Sequence, residues 1–550
     1  MTYKPHGLSL INGVWADPAG ATYESRSRLD GSLLGTFTSA SDDQVRAALA
    51  LAADAFYETT VVNPRRPEDH ARLLNEIAIS MESRLADIKE AGCQELGYPA
   101  GRADGETTRA LYQLRLHAEG ALRRKRVAPS ISVALDGSIN VRSIRVARGV
   151  AVNFPSTNFP WGIGVVGPDL VEPFREGCPV VVKASSKHPL TSELLGAAVV
   201  EAVKNAGFPA GYFALIQSNN YDHGELILSS GMVAAGGLTG ALSTGRRLSA
   251  IGLANGAILH GELGAVNPVF ALDEKMKTDA AGFADAWWGS LTLGNGQFCT
   301  GPGLVFVLKS ADLEGFEKVL RAKMEAAQPC TLLHGSTQKS YDSNLETLRK
   351  VDGVESWIVS SKMGSGAATC KQAILRTTGE AFLRNPHAMQ QEVFGPAGLV
   401  VVVNSVEQMI EAARTLHGQL TATIYGTAAD MAKPEARKLE RLLAFIKAGR
   451  VNHDNMPTGV AVVPAMTHAG PPPASTFGET SVGLSTRYSR PVSFQNERDE
   501  LLLPELQDAN PLGIEREVFV TDKTFGKILY WETTREPLAA IIGKYKTAAA

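Results

Sequence analysis

The sequence predicts an α/β protein with a doubly wound parallel sheet, and three observations support this fold class. Between residues 150 and 260, short apolar segments alternate with amphipathic helical segments, as in parallel sheets whose strands are joined by helices. The 550 residues exceed the size at which one hydrophobic core stops growing, so more than one domain is expected. A second alternation of strands and helices begins after residue 275 and indicates a second α/β domain.

The region before the first strand of this sheet is predicted to be mostly helical. Ser41 is a typical N-cap, and Asp42 and Asp43 follow it where a helix N-terminus favours negative charge. Helices are predicted over 41–56, 66–95, 104–123 and 191–206, and strands over 150–154, 180–183, 212–216, 232–235, 257–259, 303–308, 397–403, 421–425 and 490–494. Alternating β-branched residues predict hairpins at 131–150, leaving the main body, and at 516–531.

Composition excludes several classes of protein. The net charge of -3, with scattered lysines and arginines, gives no electrostatic footprint for nucleic acid or a membrane surface. The five cysteines form no CxxC pair, which argues against disulfides and against a metal site. No apolar run reaches the roughly 18 residues that span a bilayer, and the first residues lack a signal-peptide pattern. A cytoplasmic protein is expected.

Cys299 is the strongest candidate for a reactive group. It lies in Gly-Asn-Gly-Gln-Phe-Cys-Thr-Gly-Pro-Gly, a loop that lets backbone approach a ligand just before an apolar strand. A lone thiol held in this way is typical of a nucleophile. The alternative is a buried structural cysteine, since free cysteines are often buried.

Three more residues lie at strand ends or turns. Glu262, in an apolar segment flanked by glycines, is a candidate base because such surroundings raise a carboxyl pKa; the alternative is a solvated loop glutamate. Asn158, after the first strand of the sheet, is a candidate oxyanion donor or a simple turn residue. Lys183 ends a strand where nucleotides bind, or caps that strand. The glycine cluster 236–245, between a strand and a helix, is a weak phosphate-binding signal that includes Thr239, Gly240 and Gly245.

Together these segments resemble the aldehyde dehydrogenase superfamily. The matching motifs are Asn158 in Asn-Phe-Pro, Lys183 in Val-Val-Val-Lys, Glu262 in Gly-Glu-Leu-Gly, Cys299 in Gly-Gln-Phe-Cys-Thr, and Glu392 with Phe394 in Glu-Val-Phe-Gly-Pro. They occur in the family's order and spacing over about residues 10 to 505. Segments such as 418–423 and 457–460 are similar to the branch of 2,5-dioxovalerate (α-ketoglutarate semialdehyde) dehydrogenases and bacterial NADP-dependent fatty-aldehyde dehydrogenases.

The resemblance implies an aldehyde dehydrogenase-like fold with three parts and a tail. These are a Rossmann-type cofactor domain (1–128 and 151–270), an α/β catalytic domain (271–483), a small β oligomerisation flap (129–150 and 484–500) and a C-terminal extension (501–550) that we expect to pack on a neighbouring subunit. A homodimer or homotetramer is implied.

The resemblance also implies roles. Cys299 is the nucleophile, Asn158 and the Cys299 backbone N–H stabilise the oxyanion, Glu262 activates the hydrolytic water, and His468 lies near the nucleophile. The resemblance assigns Lys183 both to the catalytic residues and to the cofactor-binding residues. The other cofactor-binding residues that it implies are Ser186, Thr239, Gly240, Gly245, Glu392 and Phe394. Because Ser186 stands where relatives that prefer NAD often have a carboxylate, NADP is the preferred cofactor and NAD remains possible. Dehydrogenases of the 2,5-dioxovalerate branch can have an arginine near the position of Tyr221. This chain lacks that arginine, so one partner for the 2′-phosphate of NADP is missing.

Departures from the family pattern leave the substrate open. Ala241 stands where the family commonly has a turn serine. Gly301 and Trp161 also differ from the family pattern, at positions that we expect to border the channel through which the aldehyde enters. The expected substrate is 2,5-dioxovalerate or an aliphatic aldehyde. The alternatives are a coenzyme-A-acylating dehydrogenase, which Glu262 disfavours, and a catalytically silent nucleotide-binding or structural relative.

Overall fold

The first sheet contains seven strands, of which the five that follow residue 149 are parallel. The computed structural model describes residues 3–123, 127–310, 312–364, 368–478 and 484–546. In spatial order the strands are Ile258–Glu262, Val233–Thr239, Val150–Phe154, Val180–Lys183, Phe213–Ile216, Leu10–Ile11 and Val14–Trp15. All five predicted strands of this sheet are present. The strand at Val233–Thr239 is longer than predicted and takes in the first glycines of the 236–245 cluster.

Helices cover both faces of this sheet, because its strands are apolar on both sides. Val180 and Val182 point into one core and Val181 into the other. The helices are Asp42–Tyr57, Pro67–Glu82, Leu85–Leu96, Ala100–Leu122, Pro168–Glu176, Pro189–Asn205, Asp222–Ser229 and Leu242–Ala254. Ser41 caps the first through a reciprocal pair with Gln44, as its sequence predicts. The predicted helix over 66–95 is two helices.

A second seven-stranded sheet follows along the chain. Its strands in order are Glu355–Val359, Ala373–Thr378, Ala397–Val403, Leu304–Leu308, Val269–Ala271, Gln419–Tyr425 and Ala448–His453, and only the first is antiparallel. The helices are Asp273–Thr292, Leu313–Ala326, Gly335–Arg349, Gly379–Arg384, Val406–Arg414, Ala428–Met431 and Pro434–Leu442. Two-stranded pairs join Thr22–Arg26 to Leu33–Thr38 and Cys330–Thr331 to Thr369–Cys370.

A third sheet combines the predicted flap with the C-terminal extension. Its five strands are Ser489–Gln495, Asn140–Ala147, Ser130–Ala134, Arg516–Thr521 and Ile528–Thr534. The hairpin of the extension joins this chain's own flap, with Arg516–Thr521 parallel to Ser130–Ala134, and packing of the extension on a neighbouring subunit stays a prediction. Helix Leu538–Lys546 covers the sheet through Leu538 and Ile541. The physical reason is the apolar face of Ile131 and Val133, which the extension buries.

The limits of the predicted domains stay a prediction. Among the described residues, no helix is both long enough and apolar enough to cross a membrane. The candidate site residues lie where strands of the first sheet end: Glu262 and Lys183 are the last residues of their strands, and Asn158 follows Val150–Phe154. In open parallel sheets, ligands bind at this edge.

Candidate active site

The loop that carries Cys299 is held by two side-chain amides. Nδ2 of Asn267 donates to the carbonyl oxygens of Cys299 at 2.7 Å and Gly301 at 3.1 Å. Asn267 is fully buried with a left-handed φ of 46°, and Gln419 Oε1 accepts its backbone N–H at 3.0 Å. Asparagine tolerates this conformation better than most residues. The half-buried thiol is therefore presented by a rigid loop.

Cys299, His468 and Glu262 form a compact cluster. Nε2 of His468 lies 3.5 Å from Cys299 Sγ and 3.1 Å from Glu262 Oε2. The reactive atoms of all three residues lie within 4.8 Å of one another, and His468 and Glu262 are buried. A β-bridge between Glu262 and Ser475 holds the chain segment of His468 beside the end of strand Ile258–Glu262. One ring nitrogen thus lies between a thiol and a carboxylate.

The electrostatics of the cluster place the resting proton on sulfur. Burial of Cys299, followed by the charge of Glu262 and its hydrogen bond, raises the pKa of the thiol well above its usual value. Burial alone raises the pKa of Glu262, but the charge of His468 and hydrogen bonds from His468 and Cys299 outweigh it and leave this pKa below normal. The expectation of a raised carboxyl pKa is therefore wrong for Glu262, because its contacts with His468 and Cys299 favour the charged form; the ionised carboxylate can accept a proton.

Asn158, on the loop after strand Val150–Phe154, contacts the loop of the thiol through its side chain. Its Nδ2 donates to the carbonyl oxygen of Gln297 at 2.9 Å, two residues before Cys299. Tyr98 OH donates to the backbone oxygen of Asn158 at 2.9 Å, and the side chain of Asn158 is buried. The structure therefore brings the predicted oxyanion donor to the nucleophile loop.

Lys183 and Ser186 are not part of this cluster. Lys183 Nζ donates to the carbonyl oxygen of Ser218 at 3.2 Å, and burial lowers its pKa to about 8. Ser186 is half-buried in the following loop. The structure thus separates Lys183 from Cys299, Glu262 and His468. Two strands, Val233–Thr239 and Val150–Phe154, lie between the strand that ends at Glu262 and the strand that ends at Lys183.

The start of helix Leu242–Ala254 fits a cofactor pyrophosphate. Ala241 is its N-cap and supplies no side-chain hydrogen bond, so the first-turn N–H groups are left for a ligand. Thr239 ends the preceding strand, and a Cβ at Gly240 would meet only open space. Gly245 differs, because a Cβ there would lie 2.1 Å from Leu263 Cδ2. Close packing of helix on strand accounts for glycine at 245.

Glu392 and Phe394 line a cleft beside the nucleophile loop, together with Phe298 and Gly301. Burial raises the pKa of Glu392 to about 7. A Cβ at Gly264 would lie 2.1 Å from Glu392 Oε2, so this glycine lets the carboxyl approach the segment that follows Glu262. A carboxyl held there suits ribose hydroxyls. The lysine, the uncapped helix and this carboxyl together fit a nicotinamide dinucleotide.

Sequence patterns missed Arg109, Asn267 and Gln419. Arg109 lies in helix Ala100–Leu122, and its buried Nε and Nη2 have no hydrogen-bond partner among the described residues. Burial lowers the pKa of Arg109, while the charges of Cys299, Glu106 and Glu262 act in the opposite direction, which places the guanidinium near the cluster. No motif surrounds Arg109, so only the fold reveals it.

The expectation for Trp161 is wrong. Its side chain is fully buried, and Nε1 donates to the carbonyl oxygen of Ile88 at 2.8 Å. A Cβ at Gly92 would lie 2.2 Å from the indole ring. Trp161 therefore packs against helix Leu85–Leu96 instead of bordering a substrate channel, because a small residue on that helix makes room for it.

Comparisons with known proteins agree with this architecture. Residues 15–478 match the aldehyde dehydrogenase family. Alpha-ketoglutaric semialdehyde dehydrogenase of Acinetobacter baylyi is 33% identical over 524 residues, covering 93% of this chain and 98% of that protein. Alpha-ketoglutaric semialdehyde dehydrogenase 2 of Azospirillum brasilense is 35% identical over 497 residues, covering 87% and 92%.

Among solved structures, gamma-glutamyl-gamma-aminobutyraldehyde dehydrogenase of Burkholderia cenocepacia superposes with a TM-score of 0.76 at 20% identity, covering 90% of this chain and 97% of that one. This likeness shows the fold. The sequence match over most of the chain shows the family, whose members use NAD(P). With a thiol, a histidine and a carboxylate gathered beside the end of strand Ile258–Glu262, this chain belongs to the aldehyde dehydrogenase family and is an oxidoreductase that acts on aldehydes.

Proposed function

We propose that the protein oxidises an aldehyde to a free carboxylic acid through covalent catalysis by Cys299. The observation that carries the proposal is the cluster in which Cys299 Sγ, His468 Nε2 and a Glu262 carboxylate oxygen lie within 4.8 Å of one another. A thiol beside a base and an oriented carboxylate is the arrangement that activates a nucleophile.

Each residue of the cluster has a defined task in this scheme. The Cys299 thiol, which is hydrogen-bonded to Glu262, gives its proton to that carboxylate, and Glu262 releases the proton to solvent before hydrolysis; His468 Nε2 contacts both groups and orients them. The Cys299 thiolate attacks the aldehyde carbon, and Asn158 Nδ2 with the Cys299 backbone N–H stabilises the oxyanion of the thiohemiacetal. Lys183 and Glu392 would hold a nicotinamide dinucleotide, which would supply the acceptor for the hydride of the aldehyde. Glu262 then takes a proton from the water that hydrolyses the thioester on Cys299.

The direct test measures reduced cofactor and acid product for a panel of semialdehydes and alkanals. The proposal expects equal rates with and without coenzyme A, and a carboxylic acid as product. Formation of an acyl-coenzyme A would favour the acylating alternative. No reduced cofactor across the whole panel would favour a silent relative.

We further propose that the substrate carries a carboxylate, as α-ketoglutaric semialdehyde (2,5-dioxovalerate) does. The names of the two similar dehydrogenases support this class. So does Arg109, whose buried Nε and Nη2 lack a partner among the described residues. An unpaired buried guanidinium donor is costly, and a substrate carboxylate would satisfy two such donors at once.

Arg109→Gln should therefore weaken the use of carboxylated semialdehydes selectively. A hydrogen bond to a charged group contributes about 1.5–3 kcal/mol, so kcat/KM should fall about 10- to 100-fold for 2,5-dioxovalerate and by less than about threefold for an uncharged alkanal of equal length. Steady-state kinetics with both substrates measure the difference. Arg115→Gln is the matched control, since Arg115 lies on the same helix but pairs with Glu82 at the surface. Equal losses for both substrates would show that Arg109 is only structural.

NADP is our preferred cofactor, with NAD also used. Support comes from Lys183 at its strand end and from Ser186, which places no carboxylate beside it. The exposed Tyr221 supplies no phosphate partner, so the preference rests mainly on Lys183.

Ser186→Glu should move the preference toward NAD. A carboxylate at this position repels the 2′-phosphate of NADP and accepts hydrogen bonds from the ribose hydroxyls of NAD. We expect the ratio of kcat/KM for NADP to that for NAD to fall at least about tenfold. Ser186→Gln introduces a side chain that is similar in size to glutamate but uncharged, so the ratio of kcat/KM values should stay close to that of the native protein. A ratio that is the same in Ser186→Glu as in the native protein would argue against contact between residue 186 and the cofactor ribose.

We also propose a homodimer or homotetramer. Strand Ser489–Gln495 forms one edge of the flap sheet, while the extension covers the other side of Ser130–Ala134. An exposed strand edge is a template for pairing with a second copy.

A further inference from the structure

The Cys299–His468–Glu262 cluster has the dimensions of a metal site. In tetrahedral zinc sites the Zn–S distance is about 2.3 Å and the Zn–N and Zn–O distances are about 2.0–2.2 Å, which places neighbouring ligand atoms about 3.3–3.6 Å apart. Cys299 Sγ and His468 Nε2 are 3.5 Å apart, and His468 Nε2 and Glu262 Oε2 are 3.1 Å apart. The third edge, from Cys299 Sγ to the Glu262 carboxylate, is at most 4.8 Å.

The ligand chemistry also fits zinc. Thiolate, imidazole and carboxylate are the three side-chain ligands that Zn²⁺ takes, and soft sulfur disfavours Mg²⁺ or Ca²⁺. Because His468 and Glu262 are buried, both are held in place and shielded from bulk water. Three protein ligands leave a fourth position for water. The three residues are 37 or more positions apart in the chain, so sequence spacing indicated no metal site.

We propose that Cys299, His468 and Glu262 bind one zinc ion, which reversibly inhibits the protein. Binding forms a Zn–S bond as the thiol loses its proton to solvent, while a carboxylate oxygen of Glu262 and Nε2 of His468 supply their lone pairs. No oxidation or reduction occurs. Binding of the ion stands on the geometry alone, whereas inhibition rests on the proposed function, since a zinc-bound sulfur cannot attack an aldehyde.

Metal binding is tested first, without any substrate. Full-length protein freed of metal by a chelator is titrated with Co²⁺, whose bond to a thiolate gives a charge-transfer absorption band, and then with Zn²⁺, which displaces Co²⁺. We expect the band to saturate at one Co²⁺ per chain and to be absent from Cys299→Ser. Losing an outer-shell partner already costs 10- to 100-fold in metal affinity, so His468→Gln should weaken zinc binding by at least about 100-fold.

Two controls separate this site from incidental binding. His387 Nδ1 and His417 Nε2 lie 3.1 Å apart at the surface and form a competing pair, so His417→Gln should keep the cobalt–thiolate band. Cys93 is a half-buried thiol in helix Leu85–Leu96, and Cys93→Ser should keep the cobalt–thiolate band. The proposal is overturned if no thiolate band appears, if His468→Gln binds zinc as the native protein does, or if His417→Gln abolishes the band.

The consequence for catalysis is measured separately. Zinc should inhibit aldehyde oxidation, protect Cys299 from alkylation by iodoacetamide, and lose both effects when EDTA is added. If no aldehyde is oxidised at all, the proposed function fails while the cobalt band and the alkylation protection still test the metal site. If the protein kept full activity while one zinc ion per chain was bound and Cys299 was protected from alkylation, inhibition at this site would be contradicted.

Discussion

Cys299→Ala should reduce aldehyde oxidation by at least about four orders of magnitude, the largest effect expected of any single substitution. Removing the nucleophile of an enzyme that works by covalent catalysis commonly costs this much or more, since the remaining groups cannot form the intermediate. The measurement is NADP reduction with a saturating aldehyde, at enzyme concentrations high enough to detect a residual rate.

Two comparisons make this result specific to the thiol. Cys299→Ser keeps the size of the side chain but not its nucleophilicity, so it should be nearly as inactive as the alanine variant. Cys370→Ala removes a buried thiol in the two-stranded pair Cys330–Thr331 with Thr369–Cys370 and should remain active. Oxidation that survives in both Cys299 variants would require a different mechanism.

The same thiol should become more reactive as pH rises. Burial and then Glu262 raise the pKa of Cys299, so the thiolate fraction is small near neutrality and increases with pH. The rate of Cys299 alkylation by iodoacetamide should therefore rise through the neutral and alkaline range without an early plateau.

Glu262→Gln should block the second half of the reaction. Glutamine cannot accept a proton from water, and general base catalysis contributes about 10²- to 10⁴-fold, so turnover should fall by that factor. Hydride transfer precedes hydrolysis, so one equivalent of reduced cofactor should form quickly and a thioester should accumulate on Cys299. Rapid-mixing absorbance detects the burst, and mass spectrometry of the quenched protein detects the acyl group.

Glu95→Gln is a suitable control for this variant. Glu95 is also a buried carboxyl, but it accepts the backbone N–H groups of Leu190 at 2.8 Å and Thr191 at 2.9 Å at the start of helix Pro189–Asn205. Its substitution should lower thermal stability and leave turnover per folded molecule nearly unchanged. If Glu262→Gln shows neither a burst nor an acyl adduct, Glu262 acts before the thioester forms.

Much of the fold was predictable because local patterns and global packing agree. Strand Val150–Phe154 and strand Val180–Lys183 have the predicted limits, since both are short runs of almost entirely buried residues, as expected for strands covered on both faces. The position of the C-terminal extension was not predictable. Its hairpin was found by alternation, but its partner is Ser130–Ala134, almost 400 residues away in the chain. Local patterns contain no information about such pairing.

The sequence by itself determined the family, the order of the motifs and the identity of the thiol, carboxylate and amide at the site, because these depend on residue type and spacing. Only the tertiary structure decided which of them meet. It placed one nitrogen of His468 between Cys299 and Glu262, set Lys183 apart, buried Trp161 and brought the unpaired donors of Arg109 near the cluster. Distances, burial and the resulting pKa shifts arise from contacts between remote segments, and they decide where the proton resides and what the site can bind.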